Sequence, residues 1–146
     1  MKFQQIKRGK RILALILRKG LDIKGKGRFF TSHDNSLQLG IHKRKRGSEI
    51  DPHFHKRIKK IISDVQEALH IQSGKVEINF YDDSGKEVRT EILNIGDTVL
   101  LISGGHGFKM LKDSKIIEIK QGPYEGREND KTYLKLEKAV KHGRSV

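Results

Sequence analysis

The sequence predicts an all-β fold, and three observations carry that prediction. Apolar residues alternate with polar or small ones at period two in several short runs. The runs recur at about ten-residue spacing, with glycine-bearing turns between them. Only one internal stretch has helical character, Lys56 to Ile62, and it is too short to organise a fold. A chain of 146 residues suits one domain, or one domain with tails.

The elements follow in order. Arg11 to Arg18 is a short apolar strand ended by Gly20, and Leu37 to Ile41 alternates as a second strand. Val76 to Tyr81 alternates too, and the cluster Asp82-Asp83-Ser84-Gly85-Lys86 makes a hairpin turn, with Gly85 free to take positive φ. Val88 to Leu93 pairs back, Asn94 to Asp97 turns, and Thr98 to Ile102 forms the next strand. Ser103-Gly104-Gly105 turns again before a strand at Lys115 to Lys120. Leu134 to Val146 reads as a short helix or tail. Six or seven short strands of this kind make a sandwich or barrel.

Composition narrows the chemistry. With no cysteine there is no disulfide scaffold, no thiolate zinc site and no cysteine nucleophile, so a metal would have to be held by His, Asp or Glu. The longest apolar run, Ile12 to Leu17, has six residues, against the ~20 that a membrane-crossing helix needs. A cytoplasmic protein with no membrane partner is expected. The net charge of +13 is uneven: residues 1–60 hold 18 Lys+Arg and 4 Asp+Glu, a net of +14, and the remainder nets −1. The densest basic run is Lys43-Arg44-Lys45-Arg46, with Lys56, Arg57, Lys59 and Lys60 following.

The histidines point to a site. In a strand, His53 and His55 would face the same way, as metal ligands or as a surface pair without metal. Glu67 and His106 are the candidates to complete the set. Three neutral imidazoles and one carboxylate inside a barrel would bind a divalent first-row metal. Tyr124, after Gly122-Pro123, would line the barrel mouth and donate a proton. His70 alternates with Leu69 and Ile71 and should face away from Glu67, in a structural or surface role. Asp82 and Asp83 read as turn residues.

Gly47, His53, His55, Glu67 and Gly74, then Gly96, Gly104 and His106, stand in the order of the two motifs of the cupin superfamily, which this chain resembles from Leu37 to Lys120. Two departures from the motifs are the eleven residues between His55 and Glu67 and the single residue, Gly105, between Gly104 and His106. Arg28-Phe29-Phe30-Thr31, Gly104 to Phe108 and Gln121-Gly122-Pro123-Tyr124 are similar to small bacterial cupins encoded among surface-polysaccharide and sugar-nucleotide genes.

The resemblance implies a single jelly-roll barrel over residues 37–133, a basic N-terminal segment (1–36) whose strands pack on it, and a tail (134–146). It implies a divalent metal (Fe, Mn, Ni or Zn) on His53, His55, Glu67 and His106. It also implies an isomerase, epimerase or dioxygenase acting on a small anionic, sugar-like substrate, with Glu67, His106 and Tyr124 as catalytic groups. Sugar-nucleotide epimerases and ketoisomerases among cupins use a barrel-lining His base, usually without metal. Cupins are often dimers, here with the N-terminal strands as swapping elements. A ligand-sensing barrel without turnover stays open as an alternative. Nucleic-acid binding is disfavoured, because no helix-turn-helix or RNA-recognition signature is present and aromatics are few.

Overall fold

The computed structural model describes residues 1–134, and the expected tail lies, beyond Leu134, outside the described residues. The fold is all-β. Eight strands are described: β1 (Phe3–Arg8), β2 (Arg11–Leu17), β3 (Gly27–Phe29), β4 (Gly40–His42), β5 (Glu67–Tyr81), β6 (Glu87–Asn94), β7 (Thr98–Leu101) and β8 (Gly105–Lys120). One four-residue helix, α1 (Arg127–Asp130), follows.

Six strands form one antiparallel sheet in the order β1-β2-β7-β5-β6, with β8 on the other edge of β5. The sheet curls into a half-barrel. β3 and β4 pair separately.

Alternation builds the core. Ala14 pairs with Leu101 and Ile16 with Val99, while Leu101 pairs with Glu67 and Val99 with Leu69. Cross-strand partners share a face. The inner face therefore carries Ala14, Ile16, Val99, Leu101, Leu69 and Ile71, packed with Val76, Ile78, Phe80 and Leu93. β2 is apolar on both faces because Leu15 and Leu100, on the outer side, are also buried. Phe30 and Asn35, from the segment around β3, line a cleft beside Leu15.

Arg18 closes the curl. Its guanidinium donates to Gln4 Oε1 of β1 (2.7 Å), Glu91 Oε2 of β6 (2.6 Å), Asp97 Oδ2 of the turn before β7 (2.9 Å) and the Ile92 carbonyl. Asp97, 3% exposed, also accepts from the Lys19 and Asn94 amides at 2.8 and 3.0 Å.

Several expectations are corrected here. The strand expected at Leu37 to Ile41 is reduced to Gly40–His42. The Leu37 amide donates to the Gln66 side chain, and Gln38 Nε2 donates to the Ser32 and Asn35 carbonyls. These side-chain bonds replace the ladder. Lys56 to Ile62 is not helical, and His53-Phe54-His55 is not a strand: residues 48–62 have no regular structure and are exposed. Isolated helices below about 12–15 residues are marginal in water. Like charges at Lys56, Lys59 and Lys60 weaken this one further. β8 runs over 16 residues rather than six, because it pairs with β5 along its whole length.

Candidate functional site

A bent strand assembles the site. Glu67 begins β5, and Phe80, thirteen positions later, is opposite His106 of β8. In a straight strand those positions would lie roughly 43 Å apart. Yet His106 Nε2 is 3.3 Å from Glu67 Oε2. β5 turns a corner between them. The β5–β8 register slips between Ile71 and Ser73, Ser73 and Lys75, and Lys75 and Val76. Gly74, at φ +89°, sits among these bulges. Bulges with glycine bend a strand and re-aim its side chains. A Cβ at Gly74 would run into the Asp113 carbonyl and Ser114.

A second glycine sets the other approach. The chain leaves Leu101, the partner of Glu67, and reaches His106 through Ser103-Gly104-Gly105. Gly104 has φ +73°, and its Cα packs against the Tyr81 carbonyl with no room for a Cβ. Gly74, Gly96 and Gly104, the glycines of the two motifs around Glu67 and His106, all have positive φ.

Glu67 lies on the inner face at the rim of the core, with its side chain 10% exposed. The hydrogen bond from His106 holds its carboxyl below the ordinary carboxylate range. Burial opposes this, and the charges of Lys131 and Lys120, with that of His106 when its ring is protonated, assist it. When Glu67 is ionised, His106 Nε2 bears the hydrogen and Nδ1 is the ring's acceptor. Lys120, opposite Glu67 in the ladder, places Nζ 3.8 Å from Glu67 Oε1 and 2.6 Å from Asp130 Oδ2. The Asp130 bond holds the Lys120 ammonium above its ordinary range against the pull of desolvation. The Lys120 ammonium also stands over the Tyr124 ring, 5.0 Å from its centroid.

These groups line a cavity of about 1000 Å³ between the end of β7, the start of β8 and the loop 121–134. Phe108 and Tyr124 add apolar wall. The lining carries Glu67, Asp82, Asp83, Glu118 and Asp130 against Lys120 and Lys131, a formal −3. Asp82 and Asp83 are ion-paired to Arg8 and Arg11, and Asp82 Oδ1 accepts the Ser84 and Lys86 amides. They are the turn residues the sequence indicated. No residue of the basic segment 1–60 is in the lining.

The structure brings Glu67, His106 and Tyr124 to one cavity. His53 and His55 lie on the exposed chain before β5, their rings edge to face at 5.3 Å, with the Asp51 carbonyl 2.8 Å from His53 Nδ1. Among the described residues no three His, Asp or Glu side chains group as a metal cluster. One carboxylate and one imidazole are too small a donor set for the divalent metal expected. His70 turns from Glu67 as expected and hydrogen-bonds Thr98 at 2.9 Å.

Sequence reasoning missed Lys120, Asp130 and Lys131. Lys120 carried one signal, its place two residues after Glu118 in an alternating run, but the register that sets it opposite Glu67 is non-local. Comparison of the chain with protein-family models, with curated proteins and with solved structures gives no match.

Proposed function

We propose that this chain is a cupin-like protein that moves a proton on a small polar, sugar-like molecule held in the cavity beside Glu67 and His106. The pair at 3.3 Å on the cavity wall carries this reading. His106 is the general base, through Nδ1. Glu67 orients the ring and stabilises the imidazolium that forms, the part a buried carboxylate plays beside a catalytic imidazole. Lys120 supplies a positive charge beside the pair, and the Tyr124 hydroxyl is a proton donor at the same wall.

A carbonyl-bearing sugar or sugar acid suits this lining, where Lys120 and Lys131 stand among Glu67, Glu118 and Asp130. Epimerisation or isomerisation next to a carbonyl fits these groups, since each needs one base and one acid and no redox partner. The sugar-like substrate class rests on the motif resemblance.

The test is a thermal-shift screen of sugars and sugar acids, followed by NMR of each stabilising compound with the protein. A ligand that binds the folded state raises the melting midpoint. Conversion of that ligand supports the enzyme. Stable binding without conversion would overturn it in favour of a sensing barrel.

A further inference from the structure

A basic and apolar stretch of the molecule lies outside this site. Between Asp51 and Asp64 there is no acidic residue, while Lys56, Arg57, Lys59 and Lys60 fall there. In the same stretch Phe54 is fully exposed and Ile61 94% exposed, with Ile58, Ile62 and Val65 exposed as well. Exposed clusters of large apolar side chains mark interaction sites. The positions are ordered. At 100° per residue, Phe54, Ile58, Ile61, Ile62 and Val65 fall within an arc of about 100°, and all four cations fall outside it.

We propose that residues 54–65 fold into an amphipathic helix on an anionic phospholipid surface, lying in its plane. About 18 Å of helix would form. Its apolar stripe would sink to the acyl boundary, and its cations would meet lipid phosphates, with Lys43 to Arg46 close by in the chain. Water alone does not support the helix, because the segment is short and self-repelling. An anionic bilayer removes both obstacles, screening the charges and covering the stripe. A nucleic acid would satisfy the cations but offers no apolar phase for five aliphatic and aromatic side chains. A second copy would bring like charge, since each chain carries +13. Surface binding of this kind needs no spanning segment, and no described helix is long and apolar enough to cross a membrane.

The test is flotation of the full chain with phosphatidylcholine vesicles, with and without phosphatidylserine, and with far-UV circular dichroism on each. The expected result is binding to phosphatidylserine vesicles with a gain of helix signal, at least tenfold weaker on phosphatidylcholine alone. K59A and K60A should each weaken it roughly fivefold. The charge-neutral double variant I58Q/I61Q should lose it while keeping the wild-type melting temperature.

Four results would overturn the proposal. One is equal or absent binding on both vesicles. Another is binding to phosphatidylserine that survives the charge-neutral I58Q/I61Q, which is adsorption of a polycation. A third is duplex DNA bound more tightly than phosphatidylserine vesicles and equally by wild type and I58Q/I61Q. The last is a lower melting temperature in I58Q/I61Q, which would place the stripe inside the protein.

Discussion

Replacing Gly74 with alanine tests how the fold makes the site. Gly74 is the corner of β5, at φ +89°, where a residue with a Cβ is strained by about 1–3 kcal/mol. The new methyl would also enter the Asp113–Ser114 backbone, including Ser114 Cα at 2.6 Å. Backbone cannot swing aside as a side chain can, and overpacking of this sort costs about 1–3 kcal/mol more. Together the loss is about 2–6 kcal/mol, out of the roughly 5–15 that a domain commonly has.

Gly25 is the control. It has φ +81°, with nothing within 4 Å of an added Cβ, so Gly25→Ala should cost only the backbone strain. Denaturant unfolding of both variants gives the two losses. Carbon NMR of the Glu67 carboxyl gives the effect on the site. Gly74→Ala should raise the Glu67 midpoint toward its ordinary value, because unbending β5 withdraws His106. Equal losses for the two variants, or an unmoved Glu67 midpoint, would refute the corner.

Other expectations concern the clamp, the acid limb and the core. Arg18→Ala takes the guanidinium from Glu91 and Asp97, whose side chains are 11% and 5% exposed, and leaves them Arg89 and the Lys19 and Asn94 amides, so it should cost about 1.5–3 kcal/mol by thermal unfolding. Arg11→Ala breaks the half-exposed pair with Asp83 and should cost no more than about 1 kcal/mol, so equal losses would dismiss the clamp. Because folding lowers the Glu67 pKa, the pair's contribution is full above the unfolded value of 4.5 and is lost as pH falls through the folded one. Glu67→Gln should flatten that part of the stability curve; a curve of unchanged slope below pH 4.5 would count against the pair. Phe80→Ala, at 1% exposure, should cost about 3–5 kcal/mol in urea unfolding, and a loss near zero would remove it from the core.

Much of this was legible in the sequence, and the rest has identifiable reasons. The strands now seen as β2, β7, β6 and the Val76–Tyr81 half of β5 stand out because their apolar runs or alternation and their flanking turns are local. β1 and the first ten residues of β8 do not, since Phe3–Arg8 lacks a clear alternation and Gly105–Ser114 holds scattered lysines and glycines, and both become strands through their partners; the Lys115–Lys120 end of β8 is legible. Glu67 and His106 were chosen from motif order, and the bend at Gly74 explains how two such distant residues meet. His53 and His55 looked equivalent to them in that order, yet no strand pairs with their segment to hold them at the cavity. The basic residues of segment 1–60 contribute nothing to the cavity lining.

The most direct test of the proton-transfer centre is hydrogen exchange from solvent into a cavity ligand, followed by NMR in deuterated buffer. Wild-type protein should wash deuterium into the carbon next to the ligand's carbonyl. His106→Gln and Glu67→Gln should slow this by roughly 10²–10⁴-fold while still binding the ligand. Wild-type protein that binds the ligand without exchange, or exchange that survives both substitutions, would contradict the account.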